Sequence, residues 1–250
     1  MARLSASATS PAVEAAGVGR GYGRRLVLDD LTFEHGAQTV LAVLGPNGSG
    51  KSTLLQLLAT LTLPQQGSLR LLGVDVTDWR HLRGLRRRIG YLPQGFGYYS
   101  SFTALEFVQY VAWTREVPAK RRKALGQAAL EQVDLGGHAR QRLKTMSGGM
   151  LRRVGIASAI VNEPGLVILD EPTVGLDPLQ RDTFYGIIRR LATDRAIVLS
   201  THLVEDVEQV ADRVLLLGRD RTFLGTVDQM RSEHHSGDLR QAYLELAQSE

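Results

Sequence analysis

The 250-residue chain contains no cysteine. That excludes a disulfide framework and any metal site built on thiolates, and it fits a cytoplasmic location. Long apolar runs are also missing: none approaches the ~18 residues a membrane-spanning helix needs. If the protein acts at a membrane, another chain must do the spanning. Residues 1–12 are rich in Ala, Ser and Thr and have no apolar central region, so they read as a disordered tail rather than a secretory signal. Lysine is scarce, with four among 30 basic residues, and the formal charge is only +4. The arginine excess reads as compositional bias. Arginines cluster only in "RHLRGLRRR" (Arg80 to Arg88) and "KRRK" (Lys120 to Lys123). Neither has interleaved aromatics or a nucleic-acid reader pattern around it, so no nucleic-acid partner is expected, and the first run reads as a solvated helix face.

What is present suits an ordinary globular chain: 43% hydrophobic and 22% charged residues. From Val13 to Gly73 the pattern is β-rich, with short runs such as "VLDDLTFEHG", "TVLAVLG" and "GSLRLLG" ending in Gly. "STLLQLLATL" (Ser52 to Leu61) reads as a helix and "IGYLP" as a strand. Thr103, three residues before Glu106, opens a helix with a capping-box pattern, and Pro118 stands at the first turn of the next. "GGMLRRVGIASAIVN" follows as a helix, "GLVILDEP" as a buried strand, then "DPLQRDTFYGIIRRLA" as a helix and "AIVLSTH" as a second buried strand. Strands alternating with helices predict an α/β fold with a central parallel sheet.

The segment "GPNGSGKST" runs Gly45, Pro46, Asn47, Gly48, Ser49, Gly50, Lys51, Ser52, Thr53 between a predicted strand and a predicted helix. It matches the phosphate-binding P-loop in the context that gives that motif meaning. The glycines let backbone amides turn toward phosphate oxygens, Lys51 neutralises β- and γ-phosphate charge, and the Ser52 hydroxyl suits Mg²⁺. Asp170 and Glu171 end a buried strand, and a parallel sheet delivers them to the P-loop edge. There Asp170 can hold Mg²⁺ through its water shell and Glu171 can polarise an attacking water. "SGGM" (Ser147 to Met150) caps a helix and offers amides to an anion.

In this order, the P-loop, "SGG", "LVILDEP", "GLDP" and "STH" resemble the ATP-binding cassette of ABC transporters, over nearly the whole chain. The resemblance implies a P-loop NTPase of ABC type: a central mostly parallel sheet, a β-rich N-terminal subdomain and an inserted helical subdomain. The cassette would span residues 13–237, with the helical part at about 95–162 and a C-terminal helix at 238–250. It implies that Tyr22 stacks on adenine and that Gln94 senses Mg²⁺ and the attacking water. His202 would contact the γ-phosphate and orient the water of Glu171. Ser147, Gly148, Gly149 and Asp177 would serve the ATP held by a second cassette, so a homodimer or pseudo-dimer is implied. ATP and Mg²⁺ are the implied cofactors. The implied partner is a separate membrane-spanning permease, and the implied place is the cytoplasmic face of the cell membrane, as a peripheral subunit.

Met146 and Met150 depart from the family's commonest Leu and Gln at those positions. The Met150 form resembles the exporter branch, which carries drugs, antibiotics or similar small molecules. An importer subunit remains open. A soluble ABC-type ATPase of translation would carry two cassettes, and one of DNA maintenance would need a long coiled coil between Lys51 and Ser147, where no heptads run. A non-hydrolysing sensor would not need Glu171 and His202. Phe96, Tyr98 and Tyr99 form either core or a groove for a helix of the membrane subunit. "EHH" (Glu233 to His235) reads as exposed loop polarity rather than a metal site.

Overall fold

The computed structural model describes residues 10–23, 25–218, 222–233 and 239–248. In chain order the first elements are β1 (Val13–Tyr22), β2 (Arg25–His35), β3 (Val40–Leu44), α1 (Lys51–Leu58), β4 (Gln66–Leu71), β5 (Val74–Asp75) and α2 (Trp79–Arg86). Next come β6 (Ile89–Leu92), α3 (Ala104–Thr114), α4 (Ala119–Gln132), α5 (Gly148–Ile160) and β7 (Leu166–Leu169). The chain continues through α6 (Pro178–Leu191), β8 (Ala196–Thr201), α7 (Val204–Val210), β9 (Arg213–Leu217), β10 (Thr222–Thr226), α8 (Val227–Glu233) and α9 (Leu239–Gln248).

Two sheets organise these elements. An antiparallel sheet has the order β2-β1-β4-β5, and a six-stranded sheet has the order β10-β9-β3-β8-β7-β6. In the second, every pairing from β9 to β6 is parallel, and β10 alone runs antiparallel at its edge. β3, β7 and β8 are buried at every residue, as largely apolar strands covered on both faces must be. One core, holding Leu54, Leu55 and Leu58 of α1, lies between the two sheets. A second packs α3, α4, α5 and α6 around residues such as Phe107, Leu130, Ile156 and Phe184.

The helical stretch forms largely as its local signals dictate. The Thr103 hydroxyl accepts from Glu106 N, and the Glu106 carboxylate accepts from Thr103 N at 2.7 Å, a complete capping box. Pro118 is the N-cap of α4 rather than inside its first turn. α1 is shorter than its apolar stripe suggests. It ends at Leu58 because Thr60 adopts a left-handed φ of 55°, and Arg86 of α2 ties down the Thr60 hydroxyl and carbonyl.

The Thr60 φ is 55°, and a β-branched residue in that region cannot continue a helix. The arginines of α2 and the turn after it are exposed, yet they are not simply solvated: Arg83 also bonds Glu116, and Arg88 bonds the Leu72 carbonyl.

Candidate active site

Because the strands are parallel, the ends of β3, β6, β7 and β8 meet along one edge of the sheet. The P-loop leaves β3 there. Gly48 and Gly50 have φ of 83° and 100°, values that side chains with a Cβ rarely adopt. A Cβ on Gly45 would come within 2.6 Å of the Leu217 carbonyl. Lys51 is buried, and its Nζ donates to the carbonyls of Gly45 (2.6 Å) and Pro46 (3.1 Å). Burial lowers the Lys51 pKa, while Glu171 and Asp170 pull it back up. Ser49 Oγ is buried with no hydrogen-bond partner, an orphan beside backbone that phosphate oxygens would satisfy.

The loop after β7 carries two buried carboxylates. Ser200 of β8 donates to Asp170 Oδ1 (2.7 Å) and accepts from Glu171 N (2.8 Å), so one hydroxyl aligns both. Glu171 has a left-handed φ of 46°, an uncommon conformation for a non-glycine residue. Its Oε1 is 3.8 Å from Lys51 Nζ, and its Oε2 is 2.8 Å from Nδ1 of His202, the residue after β8.

A cleft of about 450 Å³ joins several of these groups. Tyr22, Asn47, Gly48, Gly50, Lys51, Ser52, Thr53, Gln94 and Glu171 line it, together with Arg25 and Val27. The Tyr22 ring is half exposed, with the Arg20 guanidinium 5.3 Å from its centre. Asp170 and His202 adjoin the cleft through Glu171. Ser52, Gln94 and Asp170 supply only oxygen donors (a hydroxyl, an amide carbonyl and a carboxylate), the type that suits a hard cation such as Mg²⁺.

Ser147, Gly148, Gly149 and Asp177 do not line that cleft. Ser147 caps α5, its Oγ accepting from Met150 N at 3.2 Å, and Asp177 caps α6 by accepting from Gln180 N at 2.9 Å. Ser147, Gly148 and Asp177 are exposed, and Gly149 abuts the Gln180 side chain. Met146 is buried and Met150 packs against the same core, so the two methionines anchor the loop. The histidines of "EHH", His234 and His235, lie outside the described residues.

Three further residues support the site, and sequence reasoning missed them. Ser200 is one; its signal was a polar residue in an apolar strand. Asp206 of α7 is another, buried and accepting from Thr173 (2.6 Å), Thr201 (2.5 Å) and Tyr185 (2.7 Å), which ties the loop after β7 and the end of β8 to α6. The third is Arg152 of α5, whose guanidinium donates to carbonyls on both sides of the cleft's edge.

The ABC transporter family model matches residues 28–174. A Nod factor export ATP-binding protein of Mesorhizobium japonicum is 35% identical over 232 residues, which are 92% of this chain and 68% of that protein. A daunorubicin resistance ATP-binding protein of Streptomyces coeruleorubidus is 34% identical over 224 residues, 89% of this chain and 70% of that protein. A solved structure of an ATP-binding subunit of an ABC transporter matches with a TM-score of 0.81 at 28% identity, covering 94% of this chain and 99% of that one. The fold, the P-loop site and these likenesses agree: the chain belongs to the ABC transporter family, as an ATP-binding subunit with ATPase activity.

Proposed function

We propose that this chain hydrolyses Mg²⁺-bound ATP in the cleft at the end of β3 and thereby drives a separate membrane permease that exports a small molecule. The observation that carries the reading is the meeting of Lys51, Asp170, Glu171 and His202 at one sheet edge. Tyr22 stacks on the adenine, and the amides and side chains from Gly45 to Thr53 hold the phosphates. Ser52, Gln94 and Asp170 hold Mg²⁺, which when bound neutralises phosphate charge. Glu171 polarises the attacking water, and His202 orients both that water and the γ-phosphate.

Ser147, Gly148, Gly149 and Asp177 serve the ATP of a second cassette. The exposure of Ser147, Gly148 and Asp177 on a surface apart from the chain's own cleft supports that reading. Among the described residues no helix is long and apolar enough to cross a membrane. In this proposal the permease is a separate chain and the subunit sits peripherally on the cytoplasmic face. Export is favoured by the relatives named for Nod factor export and daunorubicin resistance.

Affinity capture of the tagged chain from detergent-solubilised membranes tests the proposal. The expected companion is a polytopic membrane protein in fixed ratio, without an extracellular binding protein. An extracellular binding protein in the complex would replace export by import. ATPase stimulation by ribosomes or DNA, with no membrane companion, would overturn the transport reading.

A further inference from the structure

Arg152 is an arginine whose partners are all backbone. Its Nε donates to the Pro172 carbonyl at 2.9 Å. Nη1 donates to the carbonyls of Pro93 (3.4 Å) and Gln94 (2.8 Å), and Nη2 to those of Asp170 (2.8 Å) and Glu171 (2.6 Å). The residue is 9% exposed, and among the described residues no carboxylate lies within 4.0 Å of it. A buried charge is costly unless its hydrogen bonds are satisfied, and five carbonyl dipoles satisfy this one.

The position of those carbonyls gives the contact its meaning. β6 and β7 pair in parallel up to Leu92 and Leu169, and Asp170 N still donates to the Leu92 carbonyl at 2.9 Å. Beyond that bond, among the described residues, no backbone hydrogen bond joins the Gln94 loop to the Glu171 loop. Arg152 bridges them where the ladder stops. It also lies on α5, the helix that Ser147 caps. A rigid fork therefore links the helix that begins at the exposed Ser147 and Gly148 to the two loops that carry Gln94 and Glu171.

We infer that Arg152 is a positioning residue: it holds the Gln94 and Glu171 loops in register and passes a shift of α5, when Ser147 engages a phosphate, to the hydrolytic groups. The inference rests on the reading above, in which Glu171 and Gln94 carry the hydrolysis. Lysine at this position keeps the charge but has one ammonium, which cannot span both loops.

Arg152→Lys, with Arg152→Met as a second variant, tests this through steady-state hydrolysis, ATP affinity and melting temperature. For Arg152→Lys we expect kcat to fall about tenfold to a hundredfold, with ATP affinity and melting temperature near wild type. Arg152→Met is expected to lose at least as much. In a Glu171→Gln background either change should add less than about a twofold further loss, because both act on one step. Wild-type kcat in Arg152→Lys, a multiplicative loss in the double variant, or failure of both variants to fold would each overturn the inference. A Glu171→Gln protein that hydrolyses at the wild-type rate would instead sink the parent reading.

Discussion

His202 Nδ1 stands 2.8 Å from Glu171 Oε2, joining the residue after β8 to the loop after β7. The other oxygen, Oε1, faces Lys51 Nζ at 3.8 Å. The carboxylate is thus held between an imidazole and the P-loop ammonium, beside the cleft where the γ-phosphate would lie. Glu171→Gln preserves shape and removes the proposed base. Its kcat should fall by about 10²- to 10⁴-fold, the span typical of a lost general base, while ATP affinity changes little. Phosphate release and nucleotide binding, measured side by side, check both halves. Equal rates in variant and wild type would remove Glu171 from the chemistry.

Ser147 is exposed and outside the cleft of its own chain. Ser147→Arg places a large cation where a second cassette's phosphate would approach. ATP binding by the isolated chain should persist, and hydrolysis that rises more than linearly with protein concentration should disappear. Titrating ATPase activity against protein concentration reads this directly. Full activity would reduce the loop to a helix start.

The parts of the site that were legible in the sequence are those whose demands are local. Gly48 and Gly50 occupy positive φ, and Thr103 and Glu106 close their capping box within three residues. Asp170 and Glu171 follow a strand whose four apolar residues announce its burial. Arg152 and Asp206 were not legible, because their partners are remote: Gln94 is 58 residues from Arg152, and Thr173 is 33 from Asp206. β1 escaped individual recognition for another reason. Its register shifts around Gly17, where φ is 61°, break the two-residue alternation that marks a strand.

Tyr98 and Tyr99 are exposed, and the rings continue along α3, with Tyr99 to Tyr110 at 5.6 Å and Tyr110 to Trp113 at 5.9 Å. An exposed aromatic strip of this kind suits a docking surface. Replacing Tyr98 and Tyr99 with Ser should leave basal hydrolysis within about twofold. It should weaken permease binding by about 1–2 kcal/mol or more, the usual cost of losing an aromatic anchor. Co-purification and transport in reconstituted vesicles measure the loss. Unchanged transport would return these rings to a purely structural role.

His35 ends β2 in the fully buried interior, and its Nε2 has no hydrogen-bond partner. Burial lowers its pKa to about 4, and the nearby positive charge of Arg213 adds to the effect. The unfolded chain protonates this histidine near 6.5, the folded chain only near 4. Between those values the unfolded state binds more protons, so stability rises with pH across the window and is lost as pH falls through it. The full loss is about 3 kcal/mol for one such group. His35→Gln removes the titration while leaving the carboxylates unchanged. Urea unfolding at pH 7 and pH 4.5 should therefore show the wild type losing about 2–3 kcal/mol more than the variant. Parallel losses in the two proteins would mean that His35 takes up its proton equally in the folded and unfolded states.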